Sequence, residues 1–339
     1  MYILGIESSC DDTAVAVIKD NKVLSHTISS QIDQHRPFGG VVPEIAARSH
    51  ISVIDKLVEL SLEKASLSAT DIDLVAATGG PGLIGGVITS VMFAKGFSIA
   101  NDIPFCAINH LEAHCLVARM DNPDISFPFL LFLASGGHCQ ILMCLGVGKY
   151  IQLGATRDDA IGEAFDKTAK ILGLPYPGGP EIEEIAKNGD SQRYNLPNAM
   201  NKQDNCDFSL SGLKTAVRYL VDSFDSKLSK DDIANVASSF QLAISNQIES
   251  RLNNAIQKFK KEYNTNNLVF AGGVAANSFL RDKISKLCKQ HDFELIVPKK
   301  ELCTDNGIMV AWAGYENYKI NNLSAINFKP RSKWLLHQM

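Results

Sequence analysis

Two histidines four residues apart are the clearest candidates for metal chemistry in this sequence. His110 and His114 stand at positions i and i+4 of the segment HLEAH, so on a helix both imidazoles lie on one face and can hold one metal ion. The alternative is a pair of partly buried, hydrogen-bonded histidines. Asp305, in the segment CTDNG, is a candidate third ligand, although its spacing alone does not bring it to the histidines. Its alternative is an N-cap carboxylate for the apolar helix that follows.

A metalloprotease is disfavoured by the position of the nearest acid. Such enzymes carry H-E-x-x-H, in which the glutamate directly after the first histidine is the general base. Here the acid is Glu112, two residues after His110 and roughly 200° around the helix. It should point away from the metal.

Two polar turns between apolar, β-rich runs are candidates for binding phosphate groups. The first covers residues 8–12 and ends in Asp11 and Asp12, and the second covers residues 135–138. Each predicts a hairpin whose connection presents backbone N–H groups. The flanking runs are 2–7 and 13–18 for the first turn, and 128–134 and 139–145 for the second.

A second pattern is repeated as well. Short apolar strands at residues 73–78 and 267–271 each lead into a glycine-rich turn and then a helical stretch. Such turns let backbone approach an anionic ligand, or they serve close packing of strand on helix. The repeated order predicts two α/β domains facing one another across a cleft.

Composition and length narrow the class of protein. The 339 residues suffice for about two domains at roughly 150 residues each, and 45% hydrophobic with 21% charged residues is typical of globular chains. Eight scattered cysteines without a C-x-x-C pair argue against a disulfide framework or a zinc ribbon. No targeting signal is recognisable, and apolar runs such as residues 127–134 are shorter than the ~20 residues that span a bilayer. We therefore expect a cytoplasmic protein without a transmembrane helix or a membrane partner.

Charge is unevenly distributed along the chain. The net charge of −4 argues against a nucleic-acid partner, yet residues 251–339 carry 14 basic and 7 acidic side chains, leaving −11 for residues 1–250. One basic cluster comprises Lys329, Arg331 and Lys333. Such clusters indicate either a solvated surface or a phosphate-binding face.

Two further segments have ordinary alternatives. Asp159, Glu163 and Asp166 recur at i, i+4 and i+7, which predicts one helical stripe that lines a polar cleft or faces solvent. Residues 188–207, rich in Asn, Pro, Gln and Asp, are predicted to form an exposed loop.

Ten short motifs, taken in order, resemble the tRNA adenosine threonylcarbamoyltransferase family in its bacterial form, along almost the whole chain. They are GIESSCDDT from Gly5, GGVVPE from Gly39, GPGL from Gly80, HLEAH from His110, SGGH from Ser135, GEAFDKTAK from Gly162, YPGGP from Tyr176, FSLSGLKT from Phe208, AGGVAAN from Ala271 and CTDNG from Cys303.

The resemblance implies an α/β fold of two duplicated actin-like domains, of the sugar-kinase and heat-shock ATPase type, at residues 1–125 and 126–339. The last helices of the second domain would pack back toward the first. It also implies a reaction: transfer of a threonylcarbamoyl group from threonylcarbamoyl-AMP to N6 of the adenosine 3′-adjacent to the anticodon, in tRNAs reading codons that begin with A, with release of AMP. The resemblance further implies an inactive shorter paralogue and a small P-loop ATPase as partners, with the adenylate supplied by a separate synthetase.

Site residues follow from the same resemblance. His110, His114 and Asp305 would ligate one divalent metal ion, iron(II) in the family although zinc fits the same ligands. We expect Asp11 or Asp12 to accept the proton of the attacking amine. Residues that would hold the adenylate or nucleotide are Leu133, Ala134, Ser135, Gly136, Gly137, Asp166, Gly179, Glu183 and Asn277.

The sequence departs from the family pattern at two positions. Asp12 stands where the family usually has Glu, and Glu183 stands where many bacterial members have Asp. Two further functions stay open at this point: an ATP-dependent kinase or ATPase of the same fold, which has no use for a histidine pair, and a non-catalytic tRNA-binding subunit.

Overall fold

The first half of the chain builds a five-stranded mixed sheet in the computed structural model, which describes residues 1–197 and 204–339. The strands follow the order β3-β2-β1-β4-β5, with β1 antiparallel to β2 and parallel to β4. Nearly every residue of β1, β2 and β4 is buried, as their continuous apolar sequences predict for central strands covered on both faces. The bounds are β1 Tyr2–Glu7, β2 Asp12–Lys19, β3 Lys22–Ser30, β4 Leu74–Gly80 and β5 Phe105–Asn109.

The second sheet repeats this design. Its order is β10-β9-β6-β7-β8, with β6 antiparallel to β7 and parallel to β9. Matched in chain order, the two sheets have the same topology, which confirms the predicted duplication and both predicted hairpins. The bounds are β6 Phe129–Ala134, β7 Cys139–Gly146, β8 Lys149–Ala155, β9 Asn267–Ala271 and β10 Glu294–Ile296.

Twelve α-helices are present in the part of the chain that the structure describes. Their bounds are α1 Ile32–His35, α2 Pro43–Ala65, α3 Ile84–Asn101, α4 His110–Leu116, α5 Ala118–Asp121, α6 Ile161–Ile171, α7 Gly178–Ala186, α8 Ser211–Asp222, α9 Lys230–Glu262, α10 Ser278–Gln290, α11 Lys300–Cys303 and α12 Gly307–Lys319.

Contacts between residues divide the chain into two units. The first comprises Met1–Ile125, Gly146–Tyr150 and Thr304–Met339, and the second comprises Ser126–Leu145 and Ile151–Cys303. This grouping differs from a single division at residue 125, because α12 packs on β1, β2 and β4 of the first sheet. Each unit has its own apolar core.

Two other predictions concern single segments. The predicted exposed loop of residues 188–207 has no helix or strand at its described residues, and residues 198–203 lie outside the described residues. The predicted carboxylate stripe is wrong in part, because α6 begins at Ile161 and Asp159 precedes it. Asp159 instead accepts hydrogen bonds from Lys167 at 2.6 Å and Lys214 at 2.8 Å.

One helix has the length and composition of a membrane span, although the apolar runs of the sequence predict none. It is α3, with a mean hydropathy of 1.2 over 18 residues, of which 39% are buried. A core helix of a globular protein meets the same criterion, and α3 packs against β4 and α2. Composition alone is therefore weak evidence that it meets a membrane.

Glycine permits close packing of backbone on backbone in the first unit, between β1 and α12. A Cβ atom at Gly5 would lie 2.5 Å from the backbone nitrogen of Ala311 and closer still to the carbonyl oxygen of Gly307. Neither of these is the end of a flexible side chain, so the helix cannot yield locally. The absence of a side chain at Gly5 therefore sets how near α12 lies to the sheet.

We expect Gly5→Ala to lower the free energy of unfolding by about 3 kcal/mol, because the added methyl group forces backbone to move. The matched control is Gly96→Ala in α3, where a Cβ atom would meet nothing within 4 Å. There the change should be within about 1 kcal/mol and stabilising in sign. Urea denaturation measures both, and equal stability of the two variants would contradict the packing argument.

Candidate functional site

The amino terminus of α4 positions the two histidines. Asn109 ends β5, and its side-chain oxygen accepts hydrogen bonds from the backbone N–H groups of Leu111, at 2.9 Å, and Glu112, at 3.4 Å. This N-cap starts the helix at His110, so that His114 follows one turn later on the same face.

The three predicted metal ligands lie together. His114 Nε2 is 3.1 Å and His110 Nε2 is 3.5 Å from Asp305 Oδ1, and the candidate ligand atoms all lie within 4.8 Å of one another. Both histidines are buried, and Asp305 is partly exposed. The two Nε2 atoms therefore converge on one carboxylate oxygen.

A buried glutamate holds the first histidine from behind. Glu7 Oε2 lies 3.0 Å from His110 Nδ1, and the same carboxylate accepts hydrogen bonds from the Thr78 hydroxyl and the backbone N–H of Ser9. Because Nδ1–H is directed to Glu7, Nε2 is the nitrogen presented toward Asp305.

The electrostatics of this group follow from burial and from the carboxylates. Burial alone would lower the pKa of His110, but the negative charges of Glu7 and Asp305 outweigh it and raise that pKa to about 9. Burial alone would raise the pKa of Glu7, but the charge and hydrogen bond of His110 bring it below its usual value. Without metal the pair is therefore ionised, and a metal ion must displace the proton on Nε2.

The donor set fits a divalent transition metal. Two imidazole nitrogens and one carboxylate oxygen are the ligands of non-haem iron(II) sites with open positions and of many zinc sites. Glu7 supplies the carboxylate partner that metal-bound histidines usually have on their other ring nitrogen.

Asp305 does not cap α12, so that alternative is wrong. The N-cap is Asn306, whose side-chain oxygen accepts the backbone N–H of Met309 at 2.8 Å. Asp305 precedes the cap, and its carboxylate faces His110 and His114.

The predicted catalytic aspartates follow the loop that contacts His110. Ser9 Oγ lies 3.1 Å from His110 Nδ1; Asp11 lies in the turn, and Asp12 is the first residue of β2. Burial raises the pKa of Asp12 to about 6, against a hydrogen bond from Ser30 that lowers it. Asp12 is thus mostly ionised at neutral pH.

Glu112 is turned away from the metal ligands, as its position on the helix predicted. Its Oε1 accepts hydrogen bonds from the backbone N–H of Gly148, at 2.7 Å, and from the Tyr150 hydroxyl, at 2.9 Å, while Oε2 faces Asn317 Nδ2 at 3.3 Å. This acid has a structural role and is not in the position of a protease general base.

The second unit contains a cavity of about 300 Å³. Glycine-rich turns after β6 and β9, the amino-terminal half of α6, and α7 with the turn before it form its walls. Its lining residues are Gly136, Gly162, Phe165, Asp166, Tyr176, Pro177, Gly179, Pro180, Glu183, Gly273, Val274, Ala276, Asn277 and Lys300.

Five of the nine predicted adenylate residues line this cavity, namely Gly136, Asp166, Gly179, Glu183 and Asn277. The other four are not among its lining residues. Leu133 and Ala134 are buried in β6, whereas Ser135 and Gly137 lie in the turn that follows.

The polar side chains of the cavity also hold its walls in place. Asp166 accepts the backbone N–H of Gly178 at 2.7 Å, and Glu183 accepts that of Ser278 at 2.8 Å. Asn277 caps α10 by accepting the N–H of Leu280 at 2.9 Å, and its Nδ2 donates to Gln241 at 3.1 Å. A ligand would therefore meet a wall whose backbone is already fixed.

Comparison with known proteins assigns the family. The family model described as tRNA N6-adenosine threonylcarbamoyltransferase matches residues 22–312. The chain belongs to this family. The tRNA N6-adenosine threonylcarbamoyltransferase of Paramagnetospirillum magneticum is 50% identical over 338 residues, which cover 99% of this chain and 97% of the relative. That of Brucella anthropi is 47% identical over 346 residues, covering 100% and 96%. The resemblance from the ten motifs is thus confirmed.

Solved structures support the fold of this transferase. HypF from T. kodakarensis has a TM-score of 0.60 at 14% identity, covering 94% of this chain and 48% of that one. Component A of the Acidaminococcus fermentans (R)-2-hydroxyglutaryl-CoA dehydratase has a TM-score of 0.53 at 16% identity, covering 94% and 99%. At such identities the comparison concerns the fold alone, and the predicted actin-like α/β class is confirmed.

Sequence reasoning missed several residues around the candidate metal centre and the cavity. Glu7 lies in a motif that was quoted, but a buried acid next to two serines gives no sign that it meets a histidine 103 positions later. Phe165, Tyr176 and Lys300 line the cavity from separate elements. Phe165 and Tyr176 lie in two of the ten motifs, GEAFDKTAK and YPGGP, whereas Lys300 lies in none of them.

Removal of the Glu7 charge tests its role at the candidate metal centre. We expect Glu7→Gln to weaken Zn²⁺ binding about 10- to 100-fold, because the amide no longer fixes the His110 tautomer or raises its basicity. Competition with a chromophoric chelator measures the affinity. The control is Glu112→Gln on α4, the helix that carries both histidines, and this variant should bind Zn²⁺ like the wild type. An equal affinity in the two variants would contradict the role of Glu7 in positioning His110.

Proposed function

We propose that this protein transfers the threonylcarbamoyl group from threonylcarbamoyl-AMP to N6 of an adenosine in tRNA, releasing AMP. The acceptor would be the adenosine 3′-adjacent to the anticodon in tRNAs reading codons that begin with A. The observation that carries the proposal is the convergence of His110, His114 and Asp305 in a chain of the threonylcarbamoyltransferase family.

The bond changes define what the protein must do. N6 of the adenosine attacks the carbamoyl carbon, a C–N bond forms, the bond from that carbon to the phosphate oxygen breaks, and AMP leaves with the electron pair. The mixed anhydride is already activated, whereas the exocyclic amine is a poor nucleophile. Orientation of both partners and removal of one proton are therefore the main requirements.

Asp12 and Asp11 are the proposed acceptors of that proton. Asp12 is mostly ionised at neutral pH, since its pKa is about 6, so its carboxylate can take a proton from the attacking amine. The loop that contains Asp11 and leads into Asp12 is tied to His110 through Ser9. No covalent nucleophile is required.

The metal centre would be held by His110, His114 and Asp305, with iron(II) as the proposed ion and zinc as the alternative. A bound divalent ion supplies Lewis-acid polarisation of a phosphate or carbamoyl oxygen. Glu7 would keep His110 in the tautomer that leaves Nε2 for the ion.

The cavity of the second unit is the proposed site for the adenylate. Backbone N–H groups of the turn at Gly136 and Gly137 would donate to the phosphate, whereas that of Ser135 already donates to the carbonyl of His138 at 2.8 Å. The carboxylate of Glu183 would accept hydrogen bonds from the ribose. We also propose the cytoplasm as the compartment, with a shorter inactive paralogue and a small P-loop ATPase as partners.

Transfer of labelled threonine tests the proposed function. The assay uses an extract depleted of this protein and shown to make the adenylate from threonine, bicarbonate and ATP. Unmodified tRNA is added together with the wild type, His110→Ala or His337→Ala. We expect threonylcarbamoyladenosine in the nucleoside digest with the wild type and with His337→Ala, whose exposed histidine lies outside the site. His110→Ala should lower the rate at least about 10³-fold, as expected for loss of a ligand of the catalytic ion.

The other outcomes have definite meanings. Full activity of His110→Ala would contradict the metal assignment. Absence of label with the wild type would overturn the proposed function, and ATP hydrolysis without transfer would then favour a kinase-like ATPase.

A side chain at Gly179 tests the adenylate site. A Cβ atom there meets nothing within 4 Å, so Gly179→Leu should fill the cavity without disturbing the protein around it. We expect AMP affinity, measured by calorimetry, to fall at least about tenfold because the ligand and the new side chain compete for the same space. Gly212→Leu is the matched control, because that glycine is equally open but lies outside the cavity, and it should bind AMP like the wild type. Unchanged affinity in Gly179→Leu would place AMP elsewhere.

A further inference from the structure

The segment of residues 328–334, named here the carboxyl-terminal strap, contains three basic residues and no acid. Lys329, Arg331 and Lys333 are all exposed. In the described part of the chain, none of the three has a carboxylate within 4.0 Å. This differs from Lys167 and Lys214, which both pair with Asp159, Lys167 also with Glu163. The strap is thus a local positive surface on a chain of net charge −4.

The strap is held in a fixed position by the glycine-rich end of β4 and the turn that follows it. The backbone N–H of Arg331 donates to the carbonyl of Gly79 at 2.9 Å, and the N–H of Gly82 donates to the carbonyl of Ser332 at 3.3 Å. Gly80 has a φ of +131°, and a Cβ atom there would collide with the carbonyl of Arg331. The turn therefore has the shape that this backbone requires.

The strap is also bonded to the residue that starts the metal-binding helix. The side-chain nitrogen of Asn109 donates to the carbonyl of Trp334 at 2.9 Å, and the oxygen of the same side chain caps α4 in front of His110. Its other end is anchored by Lys95, which donates to the carbonyl of Phe328 at 2.6 Å. The backbone of the strap is therefore attached to the residue that directly precedes His110, within the same unit.

Aromatic rings arrange the central cation. The Arg331 guanidinium lies 4.8 Å from the ring centroid of Trp334 and 5.3 Å from that of Phe328. Stacking on two rings reduces the freedom that the side chain loses on binding, and a guanidinium matches phosphate oxygens with two parallel N–H groups.

We propose that the carboxyl-terminal strap binds the sugar–phosphate backbone of the tRNA substrate and places the acceptor adenosine at the metal centre. This proposal rests on the proposed function, since it names the surface that this reaction would need. Unpaired cations on a rigid backbone are the chemistry by which proteins hold nucleic-acid phosphates without reading sequence. An acidic protein surface is the other class of partner, and the test below separates the two.

The test compares tRNA binding by the full-length wild type and the variant K329A/R331A/K333A. The probe is an unmodified tRNA transcript, and its dissociation constant is measured at several salt concentrations. We expect binding at about 0.1 M salt to weaken at least tenfold, and the slope of log K against log salt to become shallower by about two to three, one for each lost phosphate contact.

Two further variants separate a specific role from general electrostatics and from misfolding. K261A/K286A/K289A removes the same charge from exposed lysines of the second unit and should bind tRNA within about twofold of the wild type. K329A/K333A leaves Arg331 packed on its rings. Its salt slope should change by about two thirds of the change in the triple variant, because two of the three cations are lost.

The transfer assay keeps this proposal distinct from the proposed function. We expect the KM for tRNA to rise in the strap variant at least tenfold, whereas Zn²⁺ affinity stays that of the wild type. Suppose that the wild type transfers the group and that the strap variant has the KM for tRNA and the salt slope of the wild type. This result would overturn the strap proposal alone and would favour an acidic protein partner for this surface. Equal losses in the strap variant and the second-unit control would also overturn it. A wild type without transfer would instead overturn the proposed function.

Discussion

The close approach of α12 to β1 is the constraint on which the candidate metal centre depends. It is possible because Gly5 of β1 faces the backbone of α12 without a side chain. On the helix, Gly307 faces the backbone of the neighbouring β2, where a Cβ atom would lie 2.6 Å from the backbone nitrogen of Ala16. Glu7 lies two residues after the first glycine, and Asp305 lies two residues before the second. The contact therefore brings one carboxylate to each side of His110. Larger residues at either glycine would separate the acids that give this histidine its charge.

The buried charges of the centre are compatible with folding because each has a partner. An unpaired buried carboxylate costs several kcal/mol, whereas Glu7 receives hydrogen bonds from Ser9, Thr78 and His110. Two carboxylates facing one protonated histidine still leave an excess of negative charge. A divalent cation is the species that such an arrangement accommodates most readily, which agrees with the donor set.

The duplicated units use equivalent turns for different purposes. In the second unit, the glycine turn after β9 contributes Gly273 to the wall of the cavity. In the first unit, the equivalent place is occupied by the protein itself, since Gly79 and Gly80 at the end of β4 receive the backbone of the carboxyl-terminal strap. The same local geometry thus leaves space for a ligand in one unit and anchors a basic segment in the other. Repetition of the fold does not imply repetition of the binding site.

Local patterns in the sequence determined the hairpins, the glycine turns, the duplication and the spacing of His110 and His114, because each depends on residues close together in the chain. The ten motifs also determined the family. Only the tertiary structure decided that Asp305 meets the histidines and does not cap α12, and that Glu7 lies behind His110. These contacts join residues about one hundred or more positions apart, and their distance is set by packing of glycine backbones that no periodicity encodes. The role of the strap was undecided for the same reason: its charges are visible in the sequence, but its anchoring beside α4 is a long-range contact.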